Sequence, residues 1–463
     1  MNGADWQPVE LVGDDVEVPC LDGVARRYVS LDAAASTPVL PAVAERVAAF
    51  LPWYSSVHRG AGYKSQAATA AYEAARGAFL RFAGRAATGS DTAVICRNTT
   101  EAINHLAYRL QLQPSDVVVT TVVEHHANLL PWGRVATRRY VECGGEGTFG
   151  VDDVVAALDA GPRPRLLAIT GASNVTGWLP PLGEIIGAAH DRGVPVAVDA
   201  AQLAPHRRMP PEADFVSWSG HKMYAPFGAG VLVGPRRTFE EGDPFLAGGG
   251  AVDLVDLDEV QWTEPPEREE AGSPNVIGAV ALGAAVGELE RLGWPRIVAH
   301  ERDIALRLRR VVSSVPGVRL LGPGADTPAL PVASFTVEGM HHALVAARLS
   351  AEFAIGVRHG CFCAHPYVIR LLGLSAAEIE RYRDDVHRGD RRAIPGAVRA
   401  SAGLSTTAAD LDRLGAALRH VVEHPAAADT YVQDPRTGDF RPRPGSIEGI
   451  PSERALGTGC ARG

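Results

Sequence analysis

Between residues 92 and 233, short apolar runs alternate with stretches of helical periodicity. The runs are Thr92–Cys96, Val117–Thr121, Leu166–Thr170, Val194–Asp199, Phe215–Trp218 and Gly230–Val233. Their nearly unbroken, β-branched character is that of strands covered on both faces, and their spacing leaves room for crossover helices. This predicts an α/β unit with a mostly parallel sheet, whose functional side chains gather at the carboxyl ends of the strands. Helices are predicted over Pro41–Leu51 and about Ser65–Ala83 before it, and over a long stretch ending near Arg291 after it. From about residue 295 the pattern changes to helix 296–314, strands Val318–Leu321 and Val332–Val337, and helices His341–Ala351 and Ala408–Val422. That describes a smaller α+β unit. The expected organisation is an arm over 1–30, a large domain over 31–294 and a small domain over 295–424. The small domain carries a charged insertion at about 367–395, with a helix over Ala376–Arg392. The Pro-, Gly-, Arg- and Asp-rich stretch 425–463 is expected to be a mostly disordered tail.

Composition narrows the class without choosing a function. The 463 residues exceed one ordinary core, are 46% apolar and 21% charged, and contain no apolar run long enough to span a bilayer. A formal charge of −9 speaks against a general nucleic-acid binder. No basic segment followed by an apolar stretch opens the chain, so no export signal is expected. Cys20, Cys96, Cys143, Cys361, Cys363 and Cys460 are too scattered for a disulfide framework, which points to reduced thiols in a cytoplasm. No membrane partner is expected.

Chemistry-bearing residues punctuate the strand ends. Phe215–Trp218 leads into Ser219-Gly-His-Lys222, followed by the turn residues Pro226, Gly228 and Gly230. Partial burial there lowers a lysine's pKa, which suits Schiff-base formation with an aldehyde, while Ser219 and His221 can hold a phosphate beside it. Arg97-Asn-Thr-Thr-Glu opens a helix after Thr92–Cys96; Thr99 or Thr100 can cap it, leaving backbone N–H groups as an anion site. Asp199 ends an apolar strand and requires a buried cation, unless it is simply a helix N-cap. Ser273 precedes Pro274 and can be read as another cap, with the proline at the first helical position. Cys363 lies on a Gly-flanked loop beside Arg358, where a thiol is accessible, although a buried structural thiol is the plain alternative. A metal site built from Cys361, Cys363 and His365 lacks paired-cysteine spacing and is not expected.

The stretch Ser219-Gly-His-Lys-Met-Tyr-Ala-Pro-Phe-Gly-Ala-Gly230 resembles the lysine motif of class V aminotransferase-like enzymes that use pyridoxal 5'-phosphate (PLP). Within that group it is most similar to the cysteine desulfurase and selenocysteine lyase branch. The resemblance covers roughly residues 28 to 420 in about six ordered motifs, and it implies PLP fold type I with a seven-stranded-type sheet. It also implies that Lys222 holds the cofactor covalently. Glu124-His-His-Ala-Asn128 resembles the motif whose first histidine, here His125, lies over the pyridine ring, and His126 is then a supporting residue. Asn174 corresponds to the asparagine touching the cofactor hydroxyl and substrate carboxylate, Asp199 to the partner of the pyridine nitrogen, and Gln202 to a contact of the ring hydroxyl. Thr99 and Thr100 fall in the phosphate-binding turn. Ser273, in Ala-Gly-Ser-Pro-Asn275, corresponds to a residue reaching the phosphate of a neighbouring subunit, which implies a homodimer with shared sites.

PLP supports several reactions, so the loop around Cys363 carries the choice. Arg358-His-Gly-Cys-Phe-Cys-Ala-His-Pro366 resembles the desulfurase pattern Arg-x-Gly-x-x-Cys-Ala-x-Pro. Cys363 then takes sulfur from L-cysteine, or a related thiol or selenol amino acid, as a persulfide, leaving alanine; a protein or small-molecule acceptor receives the sulfur. Arg399 corresponds to the arginine clamping the substrate carboxylate, with Arg358 beside it. Two departures stand out: Cys361-Phe362 before the nucleophile, and the insertion before Arg399. They keep open another class V outcome, such as a C–S lyase, epimerase or aminotransferase with Cys363 incidental. They also leave open a sulfur carrier that has lost turnover.

Overall fold

The computed structural model describes residues 6–86, 88–324, 327–427 and 429–445. Seven strands form the central sheet in the order Asp91–Cys96, Gly230–Pro235, Phe215–Ser219, Val196–Asp199, Leu166–Thr170, Val117–Thr121 and Thr137–Val141. Gly230–Pro235 runs antiparallel to both neighbours, and the other six strands share one direction. The four inner parallel strands are buried at every position, which is why they read as apolar runs without alternation.

Their side chains still alternate in space. Val119, Leu167, Ile169, Val198 and Val216 face one core, shared with the helices Tyr63–Phe82 and Val276–Leu292. Val118, Leu166, Ala168, Ala197 and Phe215 face another, shared with Ile103 and Leu106 of the helix Thr99–Arg109. Thr137–Val141 escaped the sequence reading because an edge strand with one open side needs no apolar run. Its Thr-Arg-Arg-Tyr residues are exposed or half-buried, and only Val141 is buried.

The second unit has a four-stranded antiparallel sheet in the order Val318–Leu321, Val332–Val337, Ala397–Ser401 and Arg358–Gly360. Helices Trp294–Ser313, His342–Phe353 and Ala408–Glu423 cover it and complete a separate core. The polypeptide around residue 30 belongs partly to this core. Val29 and Leu31 are buried in it, Val29–Ser30 pairs in parallel with Ile355–Gly356, and Asp32 bridges to Ser401. The boundary expected at residue 31 is therefore crossed by the chain.

Three local expectations change. The helix after Asp91–Cys96 is capped by Asn98, whose side chain accepts from the Glu101 N–H at 3.0 Å, not by Thr99 or Thr100. The helix after Ser273 begins at Val276 with Asn275 as its cap, so Pro274 lies outside it. The stretch expected to be a disordered tail contains a hairpin, Tyr431–Gln433 with Phe440–Pro442. Tyr431 is buried and donates to Glu352 at 2.8 Å, and the Arg391 N–H donates to Pro435 O at 2.8 Å, pinning the end of the insertion. Burial of one aromatic anchor outweighs the polar composition of that hairpin. The insertion's charged helix ends at His387 and buries no residue. Residues 446–463, including Cys460, lie outside the described part.

An ion pair ties the turn before Val276–Leu292 to the sheet. Arg76 meets both carboxylate oxygens of Glu270 at 2.6 and 2.9 Å, and Glu270 also accepts from Tyr72 Oη and the Ile95 N–H, each at 2.7 Å. Removing Glu270 leaves Arg76 with Glu73 and Ala93 O, but takes the acceptor from Tyr72 Oη and the Ile95 N–H, at a penalty of about 1–3 kcal/mol for each buried donor left unpaired. Glu270→Ala is expected to lower stability on that scale, read as a lower denaturation midpoint by circular dichroism.

Candidate active site

The six co-directional strands bring their carboxyl ends to one side, and Gly230 begins the reversed strand on that same side. A cavity of about 250 Å³ opens there. It is lined by Thr99, Thr100, His125, Asn174, Asp199, Gln202, Ser219, His221, Lys222, Arg358, Cys363 and Arg399. Ser273 is the one expected site residue placed elsewhere, in a separate cleft with Tyr54, His58 and Arg59. Asp32, Asn98, Glu124 and Phe362 also shape the site, and the sequence reading gave them no role.

Lys222 closes the short turn Gly220–Lys222 that follows the buried strand Phe215–Ser219. The turn is held from outside: His221 O accepts from the Thr37 N–H at 2.9 Å and from Ser36 Oγ at 3.1 Å. Lys222 Nζ reaches Gln202 Oε1 at 3.4 Å. Burial pushes its amine down to about 8, against the opposing pull of Asp199. Asp199 is buried, accepts from the Ala201 N–H at 2.9 Å, and is raised by its own burial. His125 Nδ1 accepts from the Ala127 N–H at 3.0 Å, which puts its remaining proton on Nε2. Burial and then Lys222 push that imidazole down to about 3, so it is neutral at physiological pH.

Below it, Glu124 is fully buried and accepts from Thr121 Oγ1, the Thr170 N–H and Asn128 Nδ2 at 2.8, 2.9 and 2.7 Å. It binds the ends of two strands together and fixes the turn that presents His125. Burial raises its carboxyl to about 8 despite those donors.

On the anion side, Thr99 donates its backbone N–H to Ser219 Oγ at 2.8 Å, and the two hydroxyls meet at 2.7 Å. This close packing needs a glycine: a Cβ on Gly230 would fall 2.6 Å from Asn98 Cα. His221 is pushed down to about 4, first by burial and then by Lys222, so it offers a neutral ring there.

On the nucleophile side, Arg399 is buried and donates to Asn174 O at 2.9 Å and Asp32 Oδ1 at 3.1 Å, and its Nε–H has no partner. Burial pulls it down to about 10, with Asp32 opposing, so it stays charged at neutral pH. Its guanidinium lies 5.0 Å from the centre of the Phe362 ring. Asn174 Nδ2 holds Phe362 O at 2.8 Å, and Cys363 O accepts from the His126 N–H at 2.7 Å. Phe362 and Cys363 both adopt positive φ, 52° and 54°, which side-chain-bearing residues hold only when their surroundings fix them. The Cys363 thiol is exposed, whereas Cys361 is buried, donates to Pro395 O at 3.1 Å and is raised to about 11 by burial. Among the described residues no group of three His, Cys, Asp or Glu side chains is arranged to hold a metal ion.

The sequence profile of the Aminotransferase class-V family matches residues 29–414. The chain belongs to this family. A cysteine desulfurase of Dickeya dadantii is 36% identical to this class V chain over 404 residues, covering 84% of it and 91% of the relative. The apo structure of a cysteine desulfurase from Thermococcus onnurineus superposes with a TM-score of 0.75 at 31% identity, over 86% of this chain and 95% of that one. The Escherichia coli cysteine desulfurase CsdA, solved as its S-sulfonic acid, gives 0.71 at 33% over the same shares. The sheet and the small antiparallel unit are those of such structures.

The family uses pyridoxal phosphate, and the donor set suits it. A half-buried amine near its titration midpoint suits an aldehyde. A buried carboxylate lacking a paired cation suits a pyridinium nitrogen, and a helix N-terminus with hydroxyls suits a phosphate.

The Lys222 amine is charged below about pH 8 and free above it. Covalent labelling of Lys222 in cofactor-free protein, followed by mass spectrometry, is expected to rise through that pH. Asp199→Asn removes the influence that raises the amine, so the midpoint is expected to move to lower pH.

Proposed function

We propose that this class V protein is a PLP-dependent cysteine desulfurase, acting on L-cysteine or a closely related thiol or selenol amino acid. The observation that carries the reading is the exposed Cys363 facing the same cavity as Lys222 and Arg399. Relatives bearing that activity in their names at 31–36% identity support it.

In this reading Lys222 would bind the cofactor's aldehyde and Asp199 its pyridine nitrogen, His125 would contact its ring, and Thr99, Thr100, Ser219 and His221 would bind its phosphate. Pyridoxal phosphate, when bound, supplies the electron sink beside the substrate's α-carbon. Arg399, helped by Asn174 and Arg358, binds the substrate carboxylate and so aims the side-chain sulfur at the Cys363 loop. Lys222 Nζ takes the α-proton, a task for which an amine near 8 is matched at neutral pH. Cys363 Sγ forms a bond to the substrate sulfur as the Cβ–S bond breaks. The bonding pair stays with the carbon and is protonated there, so alanine leaves and a persulfide remains on Cys363. A reductant or a thiol acceptor then removes the outer sulfur.

The enzyme is a homodimer in this reading, with Ser273 completing the neighbouring site. Its separation from its own Lys222 cavity supports that arrangement. The five described cysteines are all free, and no described helix is long and apolar enough to cross a membrane. The free thiols support a reducing, cytoplasmic setting.

Alanine and sulfide released from L-cysteine with a reductant test the reaction. Wild type is expected to form both and Cys363→Ala neither, while Lys222→Ala is expected to fall by at least roughly 100-fold. Alanine formed undiminished by Cys363→Ala would make the thiol a bystander and favour direct attack of the reductant's thiol on the substrate sulfur, whereas pyruvate and ammonia in place of alanine would mark β-elimination of sulfide. Sedimentation is expected to give a dimer.

A further inference from the structure

Phe362, one of the two departures from the family pattern, lines the cavity beside Cys363. Its ring lies against Arg399, whose guanidinium carbon stands over the ring face, 5.0 Å from its centre. Both side chains are buried. At such a distance a cation is drawn to the π face, and the attraction strengthens as water is removed. The ring is placed by backbone bonds. Asn174 Nδ2 donates to Phe362 O at 2.8 Å, and the His126 N–H donates to Cys363 O at 2.7 Å. These bonds support the consecutive positive φ angles of Phe362 and Cys363. Neither bond uses the ring, so exchanging the ring for another apolar side chain leaves the turn's supports in place.

The donors of Arg399 are unequally occupied. Nη1 donates to Asn174 O at 2.9 Å and Nη2 to Asp32 Oδ1 at 3.1 Å, whereas the buried Nε–H has no partner. A buried donor left unpaired is costly, and an incoming carboxylate relieves that cost. The two hydrogen bonds grip the far nitrogens in the plane of the group. The ring restrains tilting out of that plane and keeps water from one face, so an ion pair formed there is less screened.

We propose, resting on the amino-acid substrate reading above, that Phe362 is a positioning residue for Arg399: its ring seats one face of the guanidinium and leaves the Nε–H edge free for the substrate carboxylate. It acts through Arg399 and takes no part in moving sulfur. The loop that presents the nucleophile therefore also seats the carboxylate clamp. Phe362→Leu removes the π face but keeps an apolar side chain. Phe362→Tyr keeps the face.

The first readout needs no substrate. Modification of Arg399 by phenylglyoxal in the holoenzyme, followed by peptide mass spectrometry, reports how firmly the guanidinium is seated. It is expected to be roughly tenfold faster in Phe362→Leu and to keep the wild-type rate in Phe362→Tyr. Arg348, buried on the helix His342–Phe353, is expected to keep its rate in all three proteins. An unchanged Arg399 rate in Phe362→Leu overturns the proposal, and so does a rise shared by Arg348, the mark of general loosening. The second readout is binding of L-alanine to the holoenzyme by calorimetry. Its dissociation constant is expected to rise roughly tenfold in Phe362→Leu and to be retained in Phe362→Tyr, while iodoacetamide alkylates Cys363 at the wild-type rate in both. Unchanged binding in Phe362→Leu overturns the proposal. Weakened binding with altered Cys363 alkylation also does, because it assigns the effect to the turn rather than the ring. A wild type that binds no L-alanine sinks the amino-acid reading, and the labelling then decides the seating of Arg399 by itself.

Discussion

The constraint on which the site depends is the desolvation of one amine. Lys222 stands where a buried strand ends, and taking an ammonium out of water favours its neutral form. Several nearby groups follow from that choice. Asp199 keeps the amine from falling further, while Arg399 presses it down, and the result sits near 8 rather than at either extreme. The same burial keeps His125 and His221 uncharged, so the cavity does not accumulate positive charge around its lysine.

The parallel sheet makes this concentration possible. Six strands deliver their carboxyl ends to one edge, so residues far apart in the chain meet without long loops. The substrate end is assembled differently. The segment Leu31–Thr37 is bonded at Asp32–Ala34 to the strand Ala397–Ser401 and at Ser36–Thr37 to the Lys222 turn. One short strap therefore touches both the small unit that carries Arg399 and the large unit that carries Lys222. Asn174 makes a second junction, holding Arg399 through its backbone oxygen and the Phe362–Cys363 turn through its side chain. The carboxylate clamp and the nucleophile loop thus share one anchoring residue.

Much of this was legible in the chain. Strands buried on both faces write themselves as apolar runs, so the sheet and its functional edge could be read from the succession of runs such as Val117–Thr121 and Leu166–Thr170 and the helical stretches between them. Short contiguous motifs such as Ser219–Lys222 and Glu124–Asn128 carry their chemistry locally, because a turn of three or four residues fixes their relative positions. What escaped were features whose signal is not local. The edge strand Thr137–Val141 has no apolar period, and the hairpin at 431–442 is polar but anchored by Tyr431.

Sequence by itself determined the fold class, the family resemblance and the set of residues with candidate chemistry. Each of these depends on periodicity or on residues adjacent in the chain. Tertiary structure decided who meets whom: that Asp32 bridges Arg358 and Arg399, that Glu124 ties two strand ends beneath His125, and that Ser273 faces a cleft of its own. The physical reason is range. Hydrogen bonds and ion pairs act over a few ångströms, and separations of hundreds of residues become such distances only once the two cores have packed.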